Sequence, residues 1–196
     1  MQLILGSSST ARAGVLSQLK MPFKTVSPDI DETIYKDESA TSLVQRLGVE
    51  KAEAVSKQTP EDSIIITGDQ VLSVEGDIFG KPHTQEKAYE HLCYFSGKSA
   101  TFYSSICVYN NHTKQHQLAV CPTTIAFKQL TTTQIKRYIK LEKPLQCAGC
   151  FKAEGLGISL ISTMQSSDPT AILGLPLLTL CNMLEQENID IIAHAS

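Results

Sequence analysis

The chain has 196 residues and a formal net charge of −3, from 17 Lys and Arg against 20 Asp and Glu. That balance argues against a general binder of nucleic acid or of anionic membranes, whose footprint would be basic. With 42% hydrophobic residues the chain can bury a sizeable core without a metal or disulfide staple, and its length fits one domain or one fold with two lobes.

Residues Gln2-Leu3-Ile4-Leu5 predict a short strand. The apolar stretch ends at Gly6 with no basic residue before it, too short a pattern for a secretory leader. A run of small residues, Gly6-Ser7-Ser8-Ser9-Thr10, leads into a helical segment with Val15, Leu16 and Leu19 on one face. Strand, small-residue loop and helix form a common anion-binding arrangement, because the helix N-terminus offers unpaired N–H groups. With Ser9 as N-cap, Arg12 falls in the first turn, where the helix dipole disfavours a cation. Arg12 is therefore either a solvated surface residue or the partner of an anion bound there.

Pro28-Asp29-Ile30-Asp31-Glu32 reads as a polar turn, and a helix follows from Ser39 or Thr41 to Lys57. Val44, Leu47 and Val55 form its apolar stripe, and Lys51 lies on that stripe by i, i+3, i+4 spacing. A lysine there either snorkels to water or points at an anion. Ile64-Ile65-Ile66 reads as a buried strand ending at Thr67-Gly68-Asp69-Gln70. In open α/β sheets ligands bind at the carboxyl ends of strands, so Asp69 is a candidate general base or metal ligand, against an aspartate that only orders a turn.

Strand character continues from Val71 to Val74, and Glu75-Gly76-Asp77 is a turn signal. Gly80-Lys81-Pro82 holds a lysine in a rigid loop, and Thr84 caps a helix that faces Ala88, Leu92 and Phe95 inward. Residues 100–109 and 117–127 predict an antiparallel hairpin around Asn110-Asn111-His112-Thr113. Thr131 and Gln134 predict a capping box, and a last helix near Pro176 is expected to bury Leu177, Leu180, Cys181 and Leu184. The elements interleave helices with parallel-type and hairpin strands, which gives a mixed-sheet α/β fold. Of six cysteines only Cys147 and Cys150 form a C-x-x-C, with no second pair or histidines at zinc spacing, so they read as buried or spectator thiols. The apolar segment 171–180 is broken by Pro176 and is too short to span a bilayer, and the chain is expected to be cytoplasmic.

Two lysines, an arginine, a helix start and two carboxylates make a set suited to polyphosphate, a divalent metal and an activated water. In this order the residues resemble the Maf family of nucleotide pyrophosphatases over nearly the whole chain. The segments that carry the likeness are Leu5-Gly6-Ser7-Ser8-Ser9 with Arg12, Asp29-Ile30-Asp31-Glu32, Arg46-Leu47 with Glu50-Lys51-Ala52, Gly68-Asp69-Gln70-Val71, Gly80-Lys81-Pro82, Ser96-Gly97-Lys98, Ala148-Gly149 with Phe151-Lys152 and Glu154-Gly155, and Gly174-Leu175-Pro176-Leu177. The resemblance implies a single Maf-like domain over residues 1–196, with a mixed twisted sheet, flanking helices and two lobes around a central cleft, like inosine-triphosphate pyrophosphatases. It implies a nucleoside triphosphate substrate, a divalent cation (Mg²⁺ or Mn²⁺), a homodimer, and no nucleic-acid or membrane partner. Asp69 matches the family's proton acceptor. The resemblance further implies that Glu32, Lys51 and Lys81 complete the catalytic set, that Glu32 and Asp69 serve as metal ligands, and that Ser7, Ser9, Arg12 and Lys152 bind substrate.

Base preference is implied at positions 11, 70 and 154. The dTTP/UTP-hydrolysing subgroup usually carries Arg, Thr and Gln there, and the 7-methyl-GTP (YceF-like) subgroup Trp, Gln and Glu. This chain has Ala11, Gln70 and Glu154, two of the three residues of the second pattern. A carboxylate such as Glu154 can accept both the ring N–H and the exocyclic amine of guanine. Ala11 departs from the pattern, since alanine cannot stack on a cationic ring. Thr10, Ala13 and Thr170 also replace the usual Pro, Arg and Asn. The resemblance therefore points to 7-methyl-GTP or a related modified nucleotide. The alternatives are dTTP/UTP hydrolysis and a weakly catalytic regulator of cell division.

Overall fold

A computed structural model of the chain describes residues 1–195. In chain order its elements are β1 (Gln2–Leu5), α1 (Thr10–Leu16), β2 (Phe23–Thr25), α2 (Ala40–Ser56), β3 (Ser63–Thr67), β4 (Gln70–Val74), β5 (Asp77–Phe79), α3 (Gln85–Phe95), β6 (Ser99–Asn110), β7 (Gln115–Phe127), α4 (Thr132–Glu142), β8 (Ile161–Ser166), α5 (Leu177–Gln186) and α6 (Ile191–His194). The chain divides into two units. The first holds residues up to Asp69, Ser104–Cys121 and the residues from Asp168 onward; the second holds Gln70–Tyr103 and Pro122–Ser167. The long strands β6 and β7 contribute residues to both.

In the first unit β1 pairs in parallel with β2 and with β3, and β3 pairs antiparallel with β6. The alternation of side chains along these strands separates two apolar layers. Leu3, Leu5, Ile64, Ile66, Ile106 and Val108 face one way and pack with Val15 and Leu16 of α1 and Leu177, Leu180 and Leu184 of α5. Ile4, Ile65, Cys107 and Tyr109 face the other way, onto Ala52 and Val55 of α2. With both neighbours paired and both faces covered, every residue of β3 is buried, which is why its three isoleucines run without alternation. Sheet and helices together make the mixed α/β class that the sequence predicts.

In the second unit β4 pairs antiparallel with β5, and β7 with β8, with a register shift at Ala126/Phe127. Its core is aromatic: the Phe95 ring stacks on Phe127 at 5.4 Å between centroids and meets Phe79 edge-on at 4.8 Å. Helix α4 begins at the predicted capping box and buries Ile135, Tyr138 and Ile139. The Tyr138 hydroxyl donates to the Cys150 carbonyl at 2.9 Å and accepts from the Lys152 N–H at 3.0 Å, tying the irregular segment after α4 to the helix.

Four local expectations shift. Helix α1 stops at Leu16, and Leu19 sits in a following 3₁₀ turn, still partly buried against the core. The hairpin turn is Asn111–Lys114, because Asn110 stays in β6 opposite Ile64 and Lys114 takes the positive φ of 60°. Helix α5 buries Met183 in place of Cys181, since its stripe advances by threes from Leu177 through Leu180 and leaves position 181 on the flank. The short α6, capped by Asp190, follows a stretch the sequence reading left unassigned. Among the described residues no helix is long and apolar enough to cross a membrane.

Removing the Tyr138 hydroxyl strands a buried Cys150 carbonyl and a part-buried Lys152 N–H. The Tyr138→Phe protein is therefore expected to unfold with about 1–3 kcal/mol less free energy in urea titration, and an unchanged midpoint would mean that the hydroxyl braces nothing.

Candidate active site

An ammonium cannot be buried without compensation, because losing water costs several kcal/mol unless countercharges replace it. Lys51 on α2 is 5% exposed. Its Nζ lies 2.6 Å from Asp69 Oδ1 and 2.7 Å from Glu32 Oε1. The lysine does not snorkel to water: it is held between two carboxylates of its own chain. One comes from the residues just past β3, the other from the loop before α2, so three segments far apart in sequence meet at one cation.

Asp69 is held in place by its backbone. Its N–H donates to Ser105 Oγ at 2.9 Å, and the Ser105 N–H returns a bond to the Asp69 carbonyl at 2.9 Å. Ser105 Oγ donates in turn to the Val44 carbonyl of α2 at 2.6 Å. Gly68 is required by this approach, because a Cβ there would lie inside the Ser105 carbonyl. Thr67 Oγ1 donates to the Gly48 carbonyl at 2.6 Å, a second tie between the strand end and α2. Ser105 is the residue that sequence reasoning missed. Its signal was present: Ser104 and Ser105 interrupt an apolar strand, and both are fully buried.

At the start of α1, Ser9 Oγ accepts from the Arg12 N–H at 3.3 Å, which makes Ser9 the N-cap, and Ser7 Oγ accepts from the Ser9 N–H at 3.2 Å. Arg12 is not a solvated surface residue. Its Nε donates to the Gly174 carbonyl and its Nη1 to the Gly68 carbonyl, both at 2.8 Å. Burial pushes the guanidinium below its ordinary pKa, while the nearby Asp69 and Glu32 carboxylates pull it back up. Nη2 makes no hydrogen bond among the described residues, so one face of the fork remains for a ligand oxygen. Ala11 is half-buried beside it in α1.

The remaining predicted residues belong to the second unit. Gln70 opens β4. Lys81 is exposed in a loop whose Gly80 carbonyl accepts from the Gly149 N–H at 3.1 Å. Lys152 Nζ pairs with Glu142 at 2.9 Å, and the other Glu142 oxygen accepts from the Leu156 N–H at 2.7 Å. Those two bonds, the backbone one first, hold the Glu142 carboxyl below its usual range. Glu154, between these anchors, is exposed. Burial pushes the Cys147 thiol up, with Glu154 adding to it, and burial pushes Cys150 up to about 12. Neither is a ready thiolate, which agrees with reading the pair as spectators.

Among the described residues there is no group of three or more His, Cys, Asp or Glu able to cage a metal. Glu32 and Asp69 converge within 2.7 Å of one cation, and Asp69 Oδ2 makes no hydrogen bond among the described residues. Two carboxylates are the donor set with which Mg²⁺ or Mn²⁺ is commonly held alongside substrate phosphates, so these residues fit such an ion.

A model of the Maf-like protein family matches residues 2–187. The 7-methyl-GTP pyrophosphatase of Pseudomonas aeruginosa is 45% identical over 189 residues, covering 96% of this chain and 98% of that protein. Its namesake from Colwellia psychrerythraea is 44% identical, covering 99% and 96%. Another from Vibrio cholerae is 41% identical, covering 97% and 98%.

The close approach at Asp69 gives a matched pair of substitutions. Gly68→Ala is expected to cost about 1–3 kcal/mol of unfolding free energy, as the added methyl forces β6 or residue 69 aside. Gly14→Ala meets nothing within 4 Å and sits in α1, so it is expected to be neutral or stabilising by up to about 1 kcal/mol. Equal denaturation midpoints for the two variants would contradict the packing described.

Proposed function

We propose, because this chain belongs to the Maf-like protein family, that it hydrolyses the α–β phosphoanhydride of a nucleoside triphosphate, releasing a nucleoside monophosphate and pyrophosphate, with 7-methyl-GTP or a closely related modified nucleotide as substrate. The observation that carries the reading is Asp69, held just past the end of β3 with Oδ1 on Lys51. A carboxylate so placed can orient a water with Oδ2 and take its proton as the water attacks the phosphorus, while Oδ1 stays on the ammonium. The bond to the leaving pyrophosphate breaks as the new P–O bond forms, and the proton remains on Asp69 until solvent removes it.

Charge builds on the phosphoryl oxygens during this displacement, and catalysis consists largely of positioning and neutralising it. Within the first unit Arg12 is the cation for that task, because its carbonyl bonds hold the guanidinium still while Nη2 makes no hydrogen bond among the described residues. Lys81 and Lys152 are the proposed phosphate contacts of the second unit. When bound by Glu32 and Asp69, a divalent cation supplies charge neutralisation and a more acidic water. Glu154 is proposed to read the base through the guanine N–H groups, an attraction that methylation at N7 strengthens by making the ring cationic. The three relatives above all carry the name 7-methyl-GTP pyrophosphatase, which supports this substrate over dTTP or UTP.

Purified protein with Mg²⁺ or Mn²⁺ should be offered 7-methyl-GTP, GTP, dTTP and UTP while pyrophosphate release is followed. The highest kcat/KM is expected on 7-methyl-GTP, and Asp69→Asn is expected to lower kcat by at least about 100-fold with the fold retained. Undiminished turnover by Asp69→Asn would remove the assignment of the base, and a preference for dTTP or UTP would remove the substrate.

A further inference from the structure

We propose that Arg46 is the positioning residue that presents Glu32 to Lys51, by clamping the segment that follows Glu32 onto the helix that carries Lys51. The inference rests on the reading of Glu32 as part of the reaction site and adds a residue to which that reading gave no task. Residues 26–39 contain no helix or strand, so Glu32 has no regular element to hold it. Its side chain is 49% exposed, yet Oε1 lies 2.7 Å from a buried ammonium. A loop carboxylate meets that geometry reproducibly only if the backbone around it is tied down.

The ties converge on one guanidinium. Arg46 Nη2 donates to the Thr33 carbonyl at 3.0 Å, immediately after Glu32. Nε and Nη2 grip the two oxygens of Glu38 at 2.7 and 2.8 Å, and Nη1 reaches Glu50 at 3.1 Å on the next turn of α2. The guanidinium carbon also lies 3.9 Å from the centroid of the Tyr35 ring. From the other side, Asp31 Oδ1 accepts from the Thr33 N–H at 2.9 Å and from its hydroxyl at 2.6 Å, and Glu38 Oε2 accepts from the Tyr35 N–H at 3.0 Å. Residue 33 is thus held at its N–H by Asp31 and at its carbonyl by Arg46, with Glu32 between Asp31 and Thr33.

Arg46 and Lys51 stand on one helix, five residues and about 7.5 Å of rise apart, so the clamp and the cation it serves share a rigid frame. Arg46 holds the Glu38 carboxyl down to about 2, so the pair stays ionised across the working range. Lysine cannot substitute for this arrangement. It is a single point charge, without the planar fork that grips a carboxylate at two points and lies against a ring while bonding a carbonyl.

The test separates positioning from mere stabilisation. Arg46→Met, assayed well below its unfolding temperature, is expected to lower kcat by about 10- to 100-fold, the cost of a misplaced reacting group. In a Glu32→Gln background the same substitution is expected to change kcat by less than about twofold, because the group it positions is already gone. Trypsin is expected to cut the folded Arg46→Met protein after the exposed Lys36 several-fold faster than the parent, with the segment released. If Arg46→Met does not fold, Glu38→Gln loosens the same clamp and should show the same three effects in smaller measure, and Arg46→Lys should not restore them. Equal losses of kcat with and without Glu32, or unchanged cleavage at Lys36, would overturn the inference while leaving the function intact. A parent protein that releases no pyrophosphate from any of the four nucleotides would overturn both.

Discussion

The buried ammonium of Lys51 is the constraint around which the first unit is arranged. At 5% exposure it must be neutralised inside the protein, and both countercharges come from outside its own helix. Each is reached by a different device. Asp69 arrives because β3 runs beneath α2 and ends at a glycine that lets β6 approach closely enough for Ser105 to hold the Asp69 peptide from both sides. Glu32 arrives on an irregular loop tethered to the same helix. Removing either carboxylate would shift the burden of one buried charge onto the other, so the three residues act as a unit and their contributions are not separable by single substitutions.

Much of this was legible because the residues concerned break a local rule. A lysine on an apolar helical stripe and an aspartate after three consecutive isoleucines each contradict the pattern around them, and local contradictions concentrate at functional sites. Helix starts were readable for a related reason. Ser9, Ser39, Thr84 and Thr131 all cap through their side chains, and capping is decided within three residues of sequence. What escaped depends on partners remote in sequence. The carbonyls that Arg12 bonds lie 56 and 162 residues away, so the sequence around it could not show what holds its guanidinium. The pairing of Lys152 with Glu142, ten residues earlier on α4, is another partner that the motif around it does not reveal. The exchange of Cys181 for Met183 is of a different kind, a matter of which side of a stripe a borderline residue falls.

Both units hold irregular segments by the same means, a helical side chain bonding loop backbone. Arg46 does so for residues 33–38, and Tyr138 with Glu142 does so for residues 150–156. The second pair lies four residues apart on α4, hence on one face, and a Cβ at Gly155 would come within 2.6 Å of the Glu142 carboxylate, so a side chain there would have to displace it. Bonds of this type direct a loop without adding apolar bulk to it. Glu154 and Lys81 can accordingly stay exposed while their neighbours are pinned.

Charge balance at the site argues for how substrate must arrive on the proposed reading. Lys51 and Arg12 carry two positive charges, and Asp69 and Glu32 two negative ones, so the cluster in the first unit is neutral as it stands. A neutral cluster offers little attraction to a triphosphate of several negative charges, and two carboxylates pointing at it would repel. That arrangement makes sense only if the nucleotide brings compensating cations or meets them outside the cluster. On that reading Glu32 and Asp69 would hold a divalent ion, which would turn the repulsive pair into ligands. Lysines from other segments then supply the rest. On the proposed reading the carboxylates would disfavour the bare nucleotide and favour its metal complex, so selection for a charge-neutralised polyphosphate would fall to the residues proposed to position the water.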